Sequence, residues 1–160
     1  MSRILFLDVD GVLNADRTPA WRGRDIVWRV EAACVGYLNE VLDRTGATVV
    51  VSSAWRIGPH RGPEGCRAML RERGVRARFH RDWRTKRMWG GPRGDEIAEW
   101  LSRHPEVTSW AIVDDDSDLL PGQRARFVQT SGFDGLTRSK AELLVAILND
   151  DAETVARLAA

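Results

Sequence analysis

The stretch Ile4-Leu5-Phe6-Leu7-Asp8-Val9-Asp10-Gly11-Val12-Leu13-Asn14 decides the fold. An apolar run reads as a buried strand, and it ends abruptly in two aspartates on alternate positions. Buried parallel strands have this appearance, and open α/β sheets collect ligands at the carboxyl ends of such strands. In extended backbone Asp8 and Asp10 project from the same face, and Gly11 then lets the chain turn without a Cβ penalty. Two carboxylates forced together repel unless a cation or a shared proton compensates, so a metal-assisted site is the simplest account of the pair. The bland alternative is a pair of aspartates capping a strand-to-loop turn.

Outward from this strand, placed at residues 3–8, the chain alternates helical and extended patterns. Val30, Cys34, Tyr37, Leu38, Val41 and Leu42 recur at helical spacing within 27–44, and Thr45-Gly46 ends that helix. Residues 47–51 read as a second buried strand. A helix is expected over 64–73, stopping at Gly74, and a short strand over 75–79. The polar, glycine-rich and aromatic residues 80–92 read as a loop. Helices are expected over 94–102, 140–148 and 152–158, and strands over 110–113 and 127–129. This order predicts an α/β fold, a Rossmann-like parallel sheet with helices on both faces. The 160 residues fit one domain spanning 1–160, without repeats or long linkers.

Three later landmarks belong with the opening strand. The second strand ends in Ser52-Ser53-Ala54-Trp55-Arg56. Pro92-Arg93-Gly94-Asp95-Glu96-Ile97 opens a helix with a basic residue, where N-terminal amides also favour negative charge. Trp110-Ala111-Ile112-Val113 leads into Asp114-Asp115-Asp116-Ser117-Asp118, a second apolar strand ending in clustered acids. A calcium loop is excluded for that cluster, because the twelve-residue pattern with its terminal Glu is missing. Parallel neighbours would bring the two acid-terminated strands to one edge.

Together these motifs resemble the haloacid dehalogenase superfamily, most members of which are Mg²⁺-dependent phosphatases. The resemblance implies that Asp8 is the nucleophile forming an aspartyl-phosphate. It makes Asp10 the general acid and then the base that activates water. Ser52 matches the hydroxyl that bonds a phosphoryl oxygen, with Ser53 as the substitute if the strand runs one residue longer. Arg93 takes the place of the basic residue that neutralises nucleophile and phosphoryl group, and Lys86 is its rival. Asp114 and Asp115 match the acidic pair that binds Mg²⁺ with Asp8 and the backbone carbonyl of Asp10; Asp118 would orient a metal water or neighbouring backbone. Arg56 is expected to add a bidentate grip on phosphate.

The combination Leu-Asp-Val-Asp-Gly-Val-Leu-Asn, Ser-Ser-Ala-Trp-Arg, Arg-Gly-Asp-Glu-Ile-x-x-Trp-Leu, Val-Asp-Asp-Asp-Ser-Asp and Gly135-Leu136-Thr137 resembles the small branch associated with RNA-repair proteins. That implies a terminal phosphate of RNA or DNA as substrate, with 3′ against 5′ open. No Gly-x-x-x-x-Gly-Lys-Ser/Thr loop occurs, so no kinase activity is implied. A phosphatase of nucleotides or other small phosphate esters is the alternative within enzyme chemistry, and a non-catalytic phosphate or nucleic-acid binding module the alternative outside it. Only 37 residues separate Asn14 from Ser52, which leaves a short loop at 15–26 and minimal or no cap over the site.

Charge is distributed unevenly. Positions 56–93 hold 12 Arg/Lys against 3 Asp/Glu, a local net of +9, while the whole chain is only +1. The basic stretch therefore suits an anionic partner, although an arginine-rich solvated surface is the plainer account. Trp55, Trp83 and Trp89 lie in or beside it and are candidates for base stacking. Trp28, Trp100 and Trp110 fall in regular elements and are expected in the core. Cys34 and Cys66 match no metal or redox spacing and are expected to be reduced, and His60, His80 and His104 form no motif. No apolar run approaches a membrane span and no secretory leader precedes the first strand, so a cytoplasmic location is expected, without membrane contact or an obligate protein partner.

Overall fold

The computed structural model describes residues 2–16, 29–57 and 64–160. Five strands form one parallel sheet in the order β3-β2-β1-β4-β5. They are β1 (Ser2–Leu7), β2 (Thr48–Val51), β3 (Phe79–Arg84), β4 (Val107–Asp114) and β5 (Phe127–Gln129). The helices are α1 (Ala32–Thr45), α2 (Gly65–Glu72), α3 (Arg93–Ser102), α4 (Arg138–Leu148) and α5 (Ala152–Ala159). Single 3-10 turns occupy Ala54–Ile57 and Pro121–Arg126.

Alternation along β1 builds both cores. Leu5 and Leu7 face one side, where they join α1, α2 and α4 through Leu38, Leu70 and Leu144. Ile4 and Phe6 face the other and meet Ile97 and Trp100 of α3. The Phe6 and Trp100 rings meet edge to face with centroids 5.3 Å apart, a favoured aromatic geometry. A strand apolar on both faces thus has helices on both faces, as its continuous run requires. Among the described residues no helix is long and apolar enough to cross a membrane.

The expected elements need correction at β3 and at the start of α1. The third strand runs over Phe79–Arg84, not over 75–79 as the pattern predicts, and takes up the start of the 80–92 stretch that reads as a loop. It is an edge strand with polar residues outward, and its register against β2 slips between Val49 and Val51. An edge strand carrying charge hides the apolar pattern by which strands are recognised. Trp83 lies on it and is buried, which withdraws it as a base-stacking residue. Helix α1 begins at Ala32 rather than 27, because Glu31 is extended and donates its N–H to the Leu13 carbonyl. Val27, Trp28, His60 and most of the 15–26 loop lie outside the described residues. Trp100 is fully buried, Trp110 packs against the α3-side core, and both cysteines are buried.

Candidate active site

Leu7 pairs with Val51 on one side and Val113 on the other, so three strands finish level. The next residue of each is Asp8, Ser52 and Asp114. The alignment continues past the strands: Asp8 N donates to the Val113 carbonyl at 3.1 Å, and Ser52 N to the Leu7 carbonyl at 2.9 Å. Sheet register alone therefore delivers the first aspartate of each acidic motif to one edge.

Asp8, Asp114 and Asp115 each present a ligand atom, all within 4.8 Å of one another. Arg93, the first residue of α3, reaches back over them. Its guanidinium lies 3.7 Å from Asp8 Oδ1 and, through Nε, 2.9 Å from Asp114 Oδ2. It also donates to the Ser52 carbonyl, while its backbone N–H is held by Asp118 Oδ2 at 3.0 Å. Gly94 lets α3 approach this closely, because a Cβ there would lie 2.6 Å from the Leu120 nitrogen.

Burial and mutual repulsion govern the acids. Asp8 is pushed up to about 6, chiefly by burial, with Asp115 and Asp10 adding to the rise and Arg93 opposing it. Asp114 is pushed up to about 8 by burial and then by Asp8. Burial alone would lower Arg93, but Asp114, Asp8, Asp118 and Glu96 outweigh it and hold the guanidinium above its usual range.

A divalent cation fits this donor set. Asp114 Oδ2 is buried and accepts no hydrogen bond, since the nearby Arg93 Nε–H is close but not aimed at it. The contact is an ion pair by distance and an orphaned acceptor by direction, and direction decides hydrogen bonding. Leaving a buried acceptor unsatisfied is costly, and three carboxylates offer the hard oxygen donors that Mg²⁺ prefers.

Asp10 is exposed, and its carboxyl is aimed by two neighbours. Oδ1 accepts from Asn14 Nδ2 at 2.9 Å and from Trp55 Nε1 at 3.1 Å. Asn14 is itself fixed, accepting from Gly11 N at 2.9 Å and donating to the Arg29 carbonyl at 2.9 Å. Gly11 adopts φ +76°, and a Cβ there would fall 2.3 Å from Asp115 Oδ2. Thr130 Oγ1 holds the Gly11 carbonyl at 2.7 Å. Asn14, Thr130 and the indole N–H of Trp55 form a support that motif reading missed. The only signal was Asn14, a polar residue closing the apolar turn 11–14.

Other expected site residues separate. Ser53 lines the cavity of about 370 Å³ with Asp8, Asp10, Arg93, Asp114 and Asp115. Ser52 is fully buried behind it, its hydroxyl without a partner. Arg56 is corrected from a phosphate clamp to a brace. Its Nε donates to the Thr85 carbonyl, one terminal nitrogen to the Ser52 and Ser53 carbonyls, and the other to Glu96 at 2.7 Å. A guanidinium so committed has no fork left for phosphate. Lys86 pairs with Glu99 at 3.0 Å and does not line the Asp8 cavity, so Arg93 alone of the two rivals meets the acids. Trp55 is buried with its N–H on Asp10, which withdraws it as a base platform. His104 is buried and stacked on Trp100 at 3.8 Å, a structural role.

No curated protein and no solved structure matches the chain. Residues 4–141 match the family model described as the HAD domain in Swiss Army Knife RNA repair proteins, and the chain therefore belongs to this haloacid dehalogenase family, whose domain implies a hydrolase of the phosphatase kind.

Proposed function

We propose that the protein is a Mg²⁺-dependent phosphomonoesterase that works through an aspartyl-phosphate on Asp8 and acts on a terminal phosphate of RNA or DNA. The observation that carries the proposal is the meeting of Asp8, Asp114, Asp115 and Arg93 at one sheet edge. The family's RNA-repair description supports the substrate class.

Asp8, Asp114 and Asp115 would hold the cation, which when bound offsets the charge of the carboxylates and of the phosphate oxygens. Asp8 then attacks phosphorus with a carboxylate oxygen as the bond to the leaving oxygen breaks. Asp10 gives the leaving oxygen its proton. Because Oδ1 is occupied by Asn14 and Trp55, Oδ2 is the oxygen free to carry that proton. In the second half, Asp10 takes a proton from water as that water attacks the aspartyl-phosphate, which releases phosphate and restores Asp8. Arg93, held against Asp8, is placed to balance charge on the transferring group, and such transfers depend mainly on alignment and charge.

The test is phosphate release by the purified full chain from 3′- and 5′-phosphorylated RNA and DNA oligonucleotides, nucleotides, sugar phosphates and an aryl phosphate, with Mg²⁺ or with EDTA. Metal-dependent turnover is expected, with oligonucleotide activity falling steeply as salt rises. Turnover of mononucleotides with a flat salt profile would assign the site to small esters. Binding of oligonucleotides without any hydrolysis would assign it to a non-catalytic module.

A further inference from the structure

The catalytic cavity is strongly one-sided. Asp8, Asp10, Asp16, Asp114, Asp115 and Asp116 all line it, against Arg93 as its one cation among the described residues. Its acidic rim continues into the loop between β5 and α4, where Gly132 accepts from Asp16 N at 2.8 Å and Phe133 is exposed. A polyanion extending over that rim would meet the carboxylates of Asp16 and Asp116. A second cavity, of about 450 Å³, opens on the other side and shares Ala54 and Arg93 with the first. Its wall adds Ile57, Arg87 and Met88. Its two acids are already engaged: Glu96 pairs with Arg56, and Asp118 holds the Arg93 backbone.

Between the wall residues Met88 and Gly91 the chain carries Trp89, 82 % exposed. The Arg87 guanidinium lies over one face of its ring, 3.8 Å from the centroid. Arg87 makes no ion pair among the described residues. It also lines a further cleft with Arg84 and Lys86, so cationic surface continues away from the site. A large exposed aromatic, backed by a cation and open on its other face, is the arrangement that stacks nucleobases while meeting the adjoining backbone.

Resting on the phosphatase reading above, we infer that Trp89 and Arg87 form a nucleoside platform for single-stranded nucleic acid. The terminal phosphate sits at Asp8, the strand leaves over Ala54 and Arg93 into the second cavity, and a base stacks on the open face of Trp89. Phe133, the exposed aromatic on the acidic side, takes no part.

The experiment compares wild type, Trp89→Ala, Trp89→Phe, Arg87→Gln and Phe133→Ala on a phosphorylated single-stranded oligonucleotide and on an aryl phosphate. Oligonucleotide binding is read in parallel by fluorescence anisotropy. Trp89→Ala should lower kcat/KM for the oligonucleotide relative to the aryl ester roughly five- to a hundredfold, the span of a lost base stack, and do so through KM. Trp89→Phe should recover much of the loss, and Arg87→Gln should flatten the salt dependence of binding. An unchanged substrate ratio in Trp89→Ala, an equal loss on both substrates, or a larger loss in Phe133→Ala would overturn the platform. The two readings fail separately. Hydrolysis of both substrates with no effect of Trp89 sinks the platform alone, whereas Trp89-dependent binding without hydrolysis sinks the phosphatase alone.

Discussion

The indole N–H of Trp55 donates to Oδ1 of Asp10 at 3.1 Å, so a buried aromatic aims the exposed carboxyl of the second aspartate in the Asp8-Val9-Asp10 turn. Trp55→Phe keeps most of the packing and removes that bond. A hydrogen bond to a charged group is worth about 1.5–3 kcal/mol, so kcat on esters with alkyl leaving groups should fall about tenfold or more. Phenolic esters, whose leaving group needs less proton assistance, should lose much less. Equal losses on both ester classes would remove Trp55 from the positioning of Asp10.

Arg56 should reveal itself in stability rather than in substrate affinity. Its ion pair with Glu96 of α3 is buried on both sides, and its three carbonyl acceptors, Ser52, Ser53 and Thr85, directly follow β2 and β3. Breaking a buried pair by removing one partner costs about 3–5 kcal/mol. Arg56→Ala should therefore show a large loss in urea unfolding, while protein still folded keeps a near-native KM. A stable variant with a raised KM would return Arg56 to phosphate binding.

Metal-free protein should lose stability as the solution becomes more alkaline. Asp8 and Asp114 keep their protons in the folded chain up to about 6 and about 8, whereas in the unfolded chain they release them near 3.8. Between these limits the folded state binds more protons, so its stability is greatest below the unfolded value and declines as pH rises toward about 8. Cation binding needs ionised carboxylates and works in the opposite sense. Thermal melts in EDTA should show Tm falling from about pH 5 to about pH 8, and added Mg²⁺ should raise Tm more at the higher pH. A Mg²⁺ effect independent of pH would contradict this account of the acidic cluster.

Gly11 leaves no room for a side chain. Gly11→Ala must accommodate φ +76° and a Cβ within 2.3 Å of Asp115 Oδ2, and the carboxylate is the part able to move. The variant should fold but bind Mg²⁺ roughly 10- to 100-fold more weakly, the range for disturbed metal-ligand support. Calorimetric titration with Mg²⁺ is the measurement, and native affinity would show that Asp115 is not a ligand.

The sheet and its acidic edge were legible because both depend on local pattern. The apolar runs ending at Asp8 and Asp114 mark strands buried on both faces, and register then aligns their ends. Strand β3 is hard to place from the pattern because in Phe-His-Arg-Asp-Trp-Arg the inward pair Phe79 and Trp83 is interrupted by Arg81 and surrounded by charge. Arg56 and Trp55 were misassigned for a different reason. Residue type shows what a guanidinium or an indole is able to bind, but Glu96, the carbonyls and Asp10 that occupy them come from distant positions. Strand β2 ends at Val51 as the pattern predicts, yet Ser53 and not Ser52 lines the cavity, because the chain leaves the strand and bends toward the 3-10 turn at Ala54–Ile57, where strand alternation no longer assigns faces.

Rapid-quench mass spectrometry of the peptide containing Asp8 shows whether that aspartate carries the phosphoryl group. With Mg²⁺ and substrate, wild-type protein quenched during turnover should show that peptide heavier by one phosphoryl group, with the modification on Asp8 and removable by hydroxylamine. Asp8→Asn and the EDTA control should show neither the adduct nor turnover. Robust phosphate release by folded Asp8→Asn protein would contradict the account.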